Sequence, residues 1–180
     1  MPASFSPEKA PPRILIMGVG NVLLCDEGFG VRAVAYLEEQ YDWPDNVQFL
    51  AGETGGIMLM PEIQSCDLLV VLDVVLGGEA PGTVYLLEND DLRKSLSFRD
   101  SMHQTDLLDT LATCELAGHR PDAVAFGLQP FDYHSMTMNI SPQAEAMLPT
   151  FCCKVVEELA RRGICATPRF CFSPDRADSH

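Results

Sequence analysis

Two adjacent carboxylates, Asp26 and Glu27, stand where a short apolar run (residues 14–17) opens into a helix pattern through the turn Gly18-Val19-Gly20-Asn21-Val22-Leu23-Leu24-Cys25-Asp26-Glu27-Gly28-Phe29-Gly30-Val31. A nucleotide-binding turn in this place aims backbone amides at phosphate. This one delivers two acids to a helix N-terminus, a setting for a cation or a proton. A third acid, Asp73, closes the run Leu68-Leu69-Val70-Val71-Leu72. An acid after five apolar strand residues is costly unless it is paired, capping or functional. His103, in Met102-His103-Gln104, directly precedes a predicted helix. The positive end of that helix disfavours the imidazolium and leaves a neutral ring for a metal.

Glu27, Asp73 and His103 thus form a one-histidine, two-carboxylate set with open coordination positions, suited to nickel, zinc and related divalent ions. Plainer readings stand beside it. Glu27 serves equally as a first-turn acid favoured by the helix dipole, and His103 as a surface-loop histidine. Asp26 reads as a helix cap and not as a chemical group.

Other constellations are weaker. His119 follows the helix-ending Gly118 and is expected to meet carbonyls there; His134 lies in a polar loop and His180 is terminal. Neither a G-x-S-x-G elbow nor an H-E-x-x-H helix occurs. Cys25 is a poor nucleophile, because Asp26 and Glu27 beside it raise its pKa. Gly18-Val19-Gly20 is not a dinucleotide site: Leu23 stands at the third glycine position, and the second strand ends in Ala51 instead of an acid for ribose.

The elements that must position these groups alternate. Residues 13–19 read as a strand, 28–41 as a helix with Val31, Val34, Ala35 and Leu37 inward, and 47–51 as a second strand. A glycine-rich turn over residues 52–56 precedes a helix to 64. Residues 67–75 read as a central strand buried on both faces, 77–82 as a turn and 83–88 as a fourth strand. The longest loop spans 89–102. A helix capped by Thr105 runs to Leu116, with Leu107, Leu108, Leu111, Ala112 and Leu116 on one face, and 123–128 is the last strand. Ser141 and Pro142 start the final helix as cap and first-turn proline, with Ala144, Met147, Leu148, Phe151, Val155, Leu159 and Ala160 inward and a kink at Pro149. This predicts a three-layer α/β/α domain with a mostly parallel sheet over residues 13–167, between loose tails at 1–12 and 168–180. Ligands of such sheets gather outside the carboxyl ends of the strands, where Asp26, Glu27, Glu53, Thr54, Asp73, His103 and Gln129 all fall.

Composition narrows the function. The chain of 180 residues carries 26 acidic against 12 basic side chains, a formal net charge of −14. It lacks the basic footprint of a nucleic-acid binder. The longest apolar stretch, residues 14–24, is too short to span a bilayer, and no small-x-small cleavage site follows it. A cytoplasmic protein without a membrane partner is expected. Seven cysteines with no C-x-x-C pair read as reduced, mostly core thiols.

The blocks GVGNVLLCDEGFGV, GETGG, LLVVLDVV, H-Q-x-x-L at His103, and GLQP followed by the Ser-Pro helix run in order over residues 13–164. Together they resemble the maturation endopeptidases of nickel–iron hydrogenases. The resemblance implies a monomer with a twisted five-stranded sheet that removes a C-terminal extension from the nickel-loaded precursor of the hydrogenase large subunit. It implies that Glu27, Asp73 and His103 are the metal-contacting and catalytic residues. The nickel would be supplied by the substrate, with no tightly bound cofactor of the protein's own. Gly52, Glu53, Thr54 and Gly55 would present amides to the substrate tail. Many relatives carry an aspartate before Gly-Gly-Thr in that turn, whereas this chain has Ala51 before Gly52-Glu53-Thr54. Two rival readings are a metallopeptidase with its own zinc and a non-enzymatic escort of the immature large subunit.

Overall fold

A computed structural model of the chain describes residues 10–53, 56–88 and 102–169. Five strands form one sheet: β1 (Ile14–Val19), β3 (Val47–Glu53), β4 (Leu68–Val74), β5 (Val84–Glu88) and β6 (Asp122–Leu128), in the order β3-β1-β4-β6-β5. The first, third, fourth and sixth are parallel, and β5 alone runs antiparallel, on the edge beside β6. The remaining strands, β2 (Tyr41–Asp42) and β7 (Thr167–Pro168), pair with each other. Thus Thr167 and Pro168, at the domain boundary suggested by sequence, are tied to the body, and the Arg169 guanidinium meets Asp42. Residues 1–9 and 170–180 lie outside the described residues.

Among the described residues the helices are α1 (Phe29–Gln40), α2 (Met60–Ser65), α3 (Met102–Leu116) and α4 (Pro142–Arg161), with one-turn 3-10 segments at Cys25–Gly28 and Gly56–Leu59. Side chains alternate across a strand, and the two faces of β1 and β4 sort accordingly. Ile14, Ile16, Val70, Leu72 and Val74 pack under α1 and α4, where the Phe29 and Phe151 rings meet edge to face with centroids 4.9 Å apart. Leu15, Met17, Leu69 and Val71 pack instead with Ile63 of α2 and with Leu111 and Cys114 of α3. This is the expected α/β/α sandwich, and the 68–72 run is its central strand, buried on both sides.

Some local expectations change. In α1 the buried residues are Phe29, Gly30, Ala33, Val34 and Leu37, while Val31 is half-buried and Ala35 exposed. The inward stripe begins at Phe29 because the helix starts against the sheet. The helix α3 begins at Met102 and not after Thr105, so His103 lies within its first turn. Its inward face holds Thr110, Leu111 and Cys114, and Leu116 is exposed. The side chains of Leu107 and Leu108 are outside the described ones. The final helix begins as expected: Ser141 Oγ accepts the Ala144 N–H at 3.2 Å. It is continuous through the exposed Pro149, with Ala144, Phe151, Cys152, Val155 and Leu159 buried and Ala160 exposed. Cys25, Cys66, Cys114 and Cys152 are buried free thiols, while Cys153 and Cys165 are exposed and Cys171 is not described. No helix among the described residues is long and apolar enough to cross a membrane.

Candidate active site

Between β1 and β4 the chain changes direction across the sheet. After β1 it builds outward to β3, then returns to the other side of β1 with β4. The crevice at the carboxyl ends of such a pair is where open α/β sheets bind ligands. Glu27 lies on the 3-10 segment that follows β1, and Asp73 sits near the end of β4.

Backbone contact fixes their approach. Gly20, at φ +133°, lies against the carbonyl oxygen of Glu27, and any side chain there would collide with it. Gly30, one turn beyond Glu27, lies against the carbonyl oxygens of Val19 and Leu72. Leu72 precedes Asp73, so the helix start is clamped onto both strand ends at the point where the two acids emerge. The register of β1 against β3 shifts between Gly18 and Val19, which redirects the chain as it leaves the sheet.

Both acids are nearly buried, Glu27 at 5% and Asp73 at 8% exposure, and Asp73 Oδ1 accepts the Val74 N–H at 2.8 Å. Asp73 shares its parity with Leu69 and Val71 and so belongs to the sheet face covered by α2 and α3. Helix α3 starts with His103 in its first turn and ends at Leu116, six residues before β6 begins at the opposite edge. Fifteen residues of helix rise about 20 Å, roughly the height of the sheet, so the backbone of His103 stands at the carboxyl edge. The connection from β5 is unlike the one expected. Being antiparallel, β5 ends at the amino edge, and residues 89–101, which are not described, join it to α3. Among the described side chains, which do not include His103, no group of three His, Cys, Asp or Glu could hold a metal ion.

Asp26 is not the helix cap. Gly28 stands at the N-cap position of α1, and no side chain bonds the first turn. The Asp26 carboxylate is wholly buried and turns to the segment after β6. It accepts the N–H groups of Phe131 (2.9 Å) and Asp132 (2.8 Å), and the N–H (2.7 Å) and hydroxyl (3.0 Å) of Ser141. Cys25 and Thr137 add a backbone bond of 2.8 Å. One acid therefore latches the 131–141 loop to the turn that carries the other. Sequence reasoning gave Ser141 only its capping role, which it also keeps.

Gln129, near-buried, is a second latch. Its Oε1 accepts the Gly77 N–H and the Tyr85 hydroxyl, both at 3.0 Å, and so holds the turn that follows Asp73. His119 behaves as expected at a helix end, its N–H donating to the Cys114 carbonyl, and its ring also reaches the Cys66 carbonyl at 2.8 Å. Cys25 has φ +41°, and its thiol is pushed up by burial first and then by the charges of Asp26 and Asp132. It borders a cleft of about 600 Å³ between the loop and the start of α4. Of the turn expected to meet the substrate, Gly52 is buried, its Cα facing Met17 and Leu59; Thr54, Gly55 and the side chain of Glu53 are outside the described residues.

The sequence profile of the hydrogenase maturation protease family matches residues 31–158. The chain is 39% identical over 160 residues to the hydrogenase expression/formation protein HupM of Azotobacter chroococcum, covering 88% of this chain and 77% of that one. It is 34% identical over 159 residues to the hydrogenase 2 maturation protease of Escherichia coli, covering 87% and 96%. Its fold superposes on the hydrogenase maturating endopeptidase HybD of E. coli with a TM-score of 0.82 at 34% identity, over 87% of this chain and 98% of that one.

Proposed function

Because the chain belongs to the hydrogenase maturation protease family and is a peptide hydrolase, we propose that it removes the C-terminal extension of the nickel-loaded precursor of a nickel–iron hydrogenase large subunit. Glu27, Asp73 and His103 recognise the nickel carried by that substrate. The observation that supports this most is the pair of nearly buried carboxylates, Glu27 and Asp73, clamped at the sheet's switch point by glycine contacts. Buried acids favour a cation that offsets the loss of their hydration. An imidazole and two carboxylates suit nickel, which is the precursor's cargo and not a resident cofactor.

In this reading the three side chains complete the coordination of a metal already held by the precursor, which sets the scissile bond against the carboxyl edge. Hydrolysis follows by attack of water on a carbonyl polarised at that centre. Glu27 is the candidate for taking the proton of the water once it is not bound to metal. The test is to incubate the protein with nickel-loaded and nickel-free precursor and follow the mass of the large subunit. Cleavage of the loaded form alone is expected; equal rates on both would remove nickel recognition from the mechanism.

A further inference from the structure

Large apolar side chains are exposed at eight positions among the described residues. Leu86 lies on β5 and Leu116 at the end of α3. The other six, Leu23, Ile57, Met58, Phe131, Met136 and Met138, all lie on loops that leave the carboxyl ends of β1, β3 and β6. These loops border the switch point from both sides. The loop with Met136 and Met138 is bound to the β1 exit, through Cys25 N–H to Thr137 O and through Arg32 Nη2 to Met138 O at 3.2 Å. Ile57 and Met58 sit on the 3-10 turn after β3, which packs against α3.

Charge is distributed differently from the rest of the chain. Residues 18–25, 56–60 and 131–140 carry one formal charge between them, Asp132, on a protein of net charge −14. That carboxylate is occupied by the N–H groups of His134 and Ser135 at 3.0 Å. These three segments are thus nearly free of formal charge, and their exposed large side chains are apolar and methionine-rich. Scattered apolar residues need no explanation, but six collected around one crevice mark a contact surface. Methionine suits a surface that must adapt to its partner.

We propose that these six side chains form a docking rim for an apolar, weakly charged surface of the folded large-subunit precursor, which binds whether or not nickel is present. This rests on the function proposed above. The occupant follows from position: a polypeptide whose metal reaches Glu27 and Asp73 through this edge covers the loops on both sides. Affinity then resides in the rim, and the decision to cut resides in the acids.

Two double variants, Met136→Lys with Met138→Lys and Ile57→Lys with Met58→Lys, test it, together with charge-neutral serine versions. Equilibrium binding of nickel-free precursor and steady-state kinetics on nickel-loaded precursor are measured, with melting temperature as the check of folding. Each rim pair should raise Kd and KM about tenfold or more while leaving kcat within about twofold. Leu86→Lys and Leu116→Lys should leave all three unchanged. Glu27→Gln should lose kcat and keep the Kd for nickel-free precursor. Wild-type binding by the folded rim variants, or equal damage from Leu116→Lys, overturns the rim while nickel-dependent cleavage stands. Self-association that the rim variants abolish would make a second copy of this chain the occupant and overturn it too. If the wild-type protein leaves the mass of nickel-loaded precursor unchanged, the proposed function falls and the rim loses its partner with it.

Discussion

Two glycine-bearing turns leave neighbouring parallel strands at the same edge of the sheet, and they are built in opposite ways. The exit from β1 is buried: residues 25–30 are all nearly inaccessible, and Gly20 and Gly30 are pressed against backbone carbonyls. The exit from β3 carries Ile57 and Met58 outward, at 55% and 80% exposure. In the first turn glycine lets backbones touch, so that Glu27 is held by parts with no rotamers to lose. In the second the turn is a carrier for apolar side chains in solvent. Chemistry needs the first kind of support and contact with a partner needs the second.

The most severe way to break this contrast is at the acids. Glu27→Gln, Asp73→Asn and His103→Ala should each lower cleavage of nickel-loaded precursor by about a thousandfold or more, in line with removal of groups that meet the charge developing in the transition state. Circular dichroism and the melting temperature should stay near wild type for His103→Ala. Normal processing by all three variants would place the reaction elsewhere. Substitutions on the β3 exit should leave kcat within about twofold, and Met58→Ser should leave stability within about 0.5 kcal/mol, as for an exposed site without special geometry.

Next in size are the supports of the buried turn. Gly30→Ala drives a Cβ into the Val19 and Leu72 carbonyl oxygens, neither of which is the movable end of a side chain. A loss of roughly 2–4 kcal/mol is expected in urea unfolding, because overpacking against backbone forces the helix off the strands. Asp26→Asn leaves one carbonyl oxygen and places an amide donor among four donors. That should lose roughly 2–4 kcal/mol, since charge-assisted bonds are replaced and buried N–H groups are stranded. Proteolysis at the exposed residues 134–139 should quicken in this variant if the latch holds the loop. Unchanged cleavage there would show that the loop is held by its other bonds.

These supports also show what was legible in the chain. The apolar run 68–72, the acid turn and the Ser-Pro helix start are local patterns, and the structure has a strand, a buried turn and a capped helix there. What escaped is non-local. Asp26 looks like a cap because caps are local, yet its partners Phe131, Asp132 and Ser141 lie 105 to 115 residues away. The direction of β5 escaped because β6, formed 34 residues after β5 ends, inserts between it and β4. Only nine residues join β4 to β5, too few for the helical crossover that a parallel neighbour needs. The start of α3 was placed late because Thr105 is a good cap by residue type, and the helix begins three residues earlier, at Met102. Glu27 and Asp73 could be read as candidates from residue type and position; their clamping by Gly20 and Gly30 needed the fold.

The smallest expected effect sharpens the contrast inside the buried turn itself. Cys25 lies next to Asp26 and two residues from Leu23, on the same turn as Glu27, and is the one thiol there. Its thiol is pushed up by burial, with the negative charges of Asp26 and Asp132 adding in the same direction. Both causes disfavour the anion, so at neutral pH the sulfur is protonated and no nucleophile. Cys25→Ser should therefore change kcat by less than about twofold and stability by about 1 kcal/mol or less. The rate of cleavage between pH 7 and 9 should not climb with a thiolate titration, and a thiol reagent should modify the exposed Cys165 before Cys25. A cysteine hydrolase predicts the reverse on all three counts. If the serine variant were inactive, the turn would carry its chemistry on the sulfur, and Glu27 would revert to a first-turn acid that merely favours the helix.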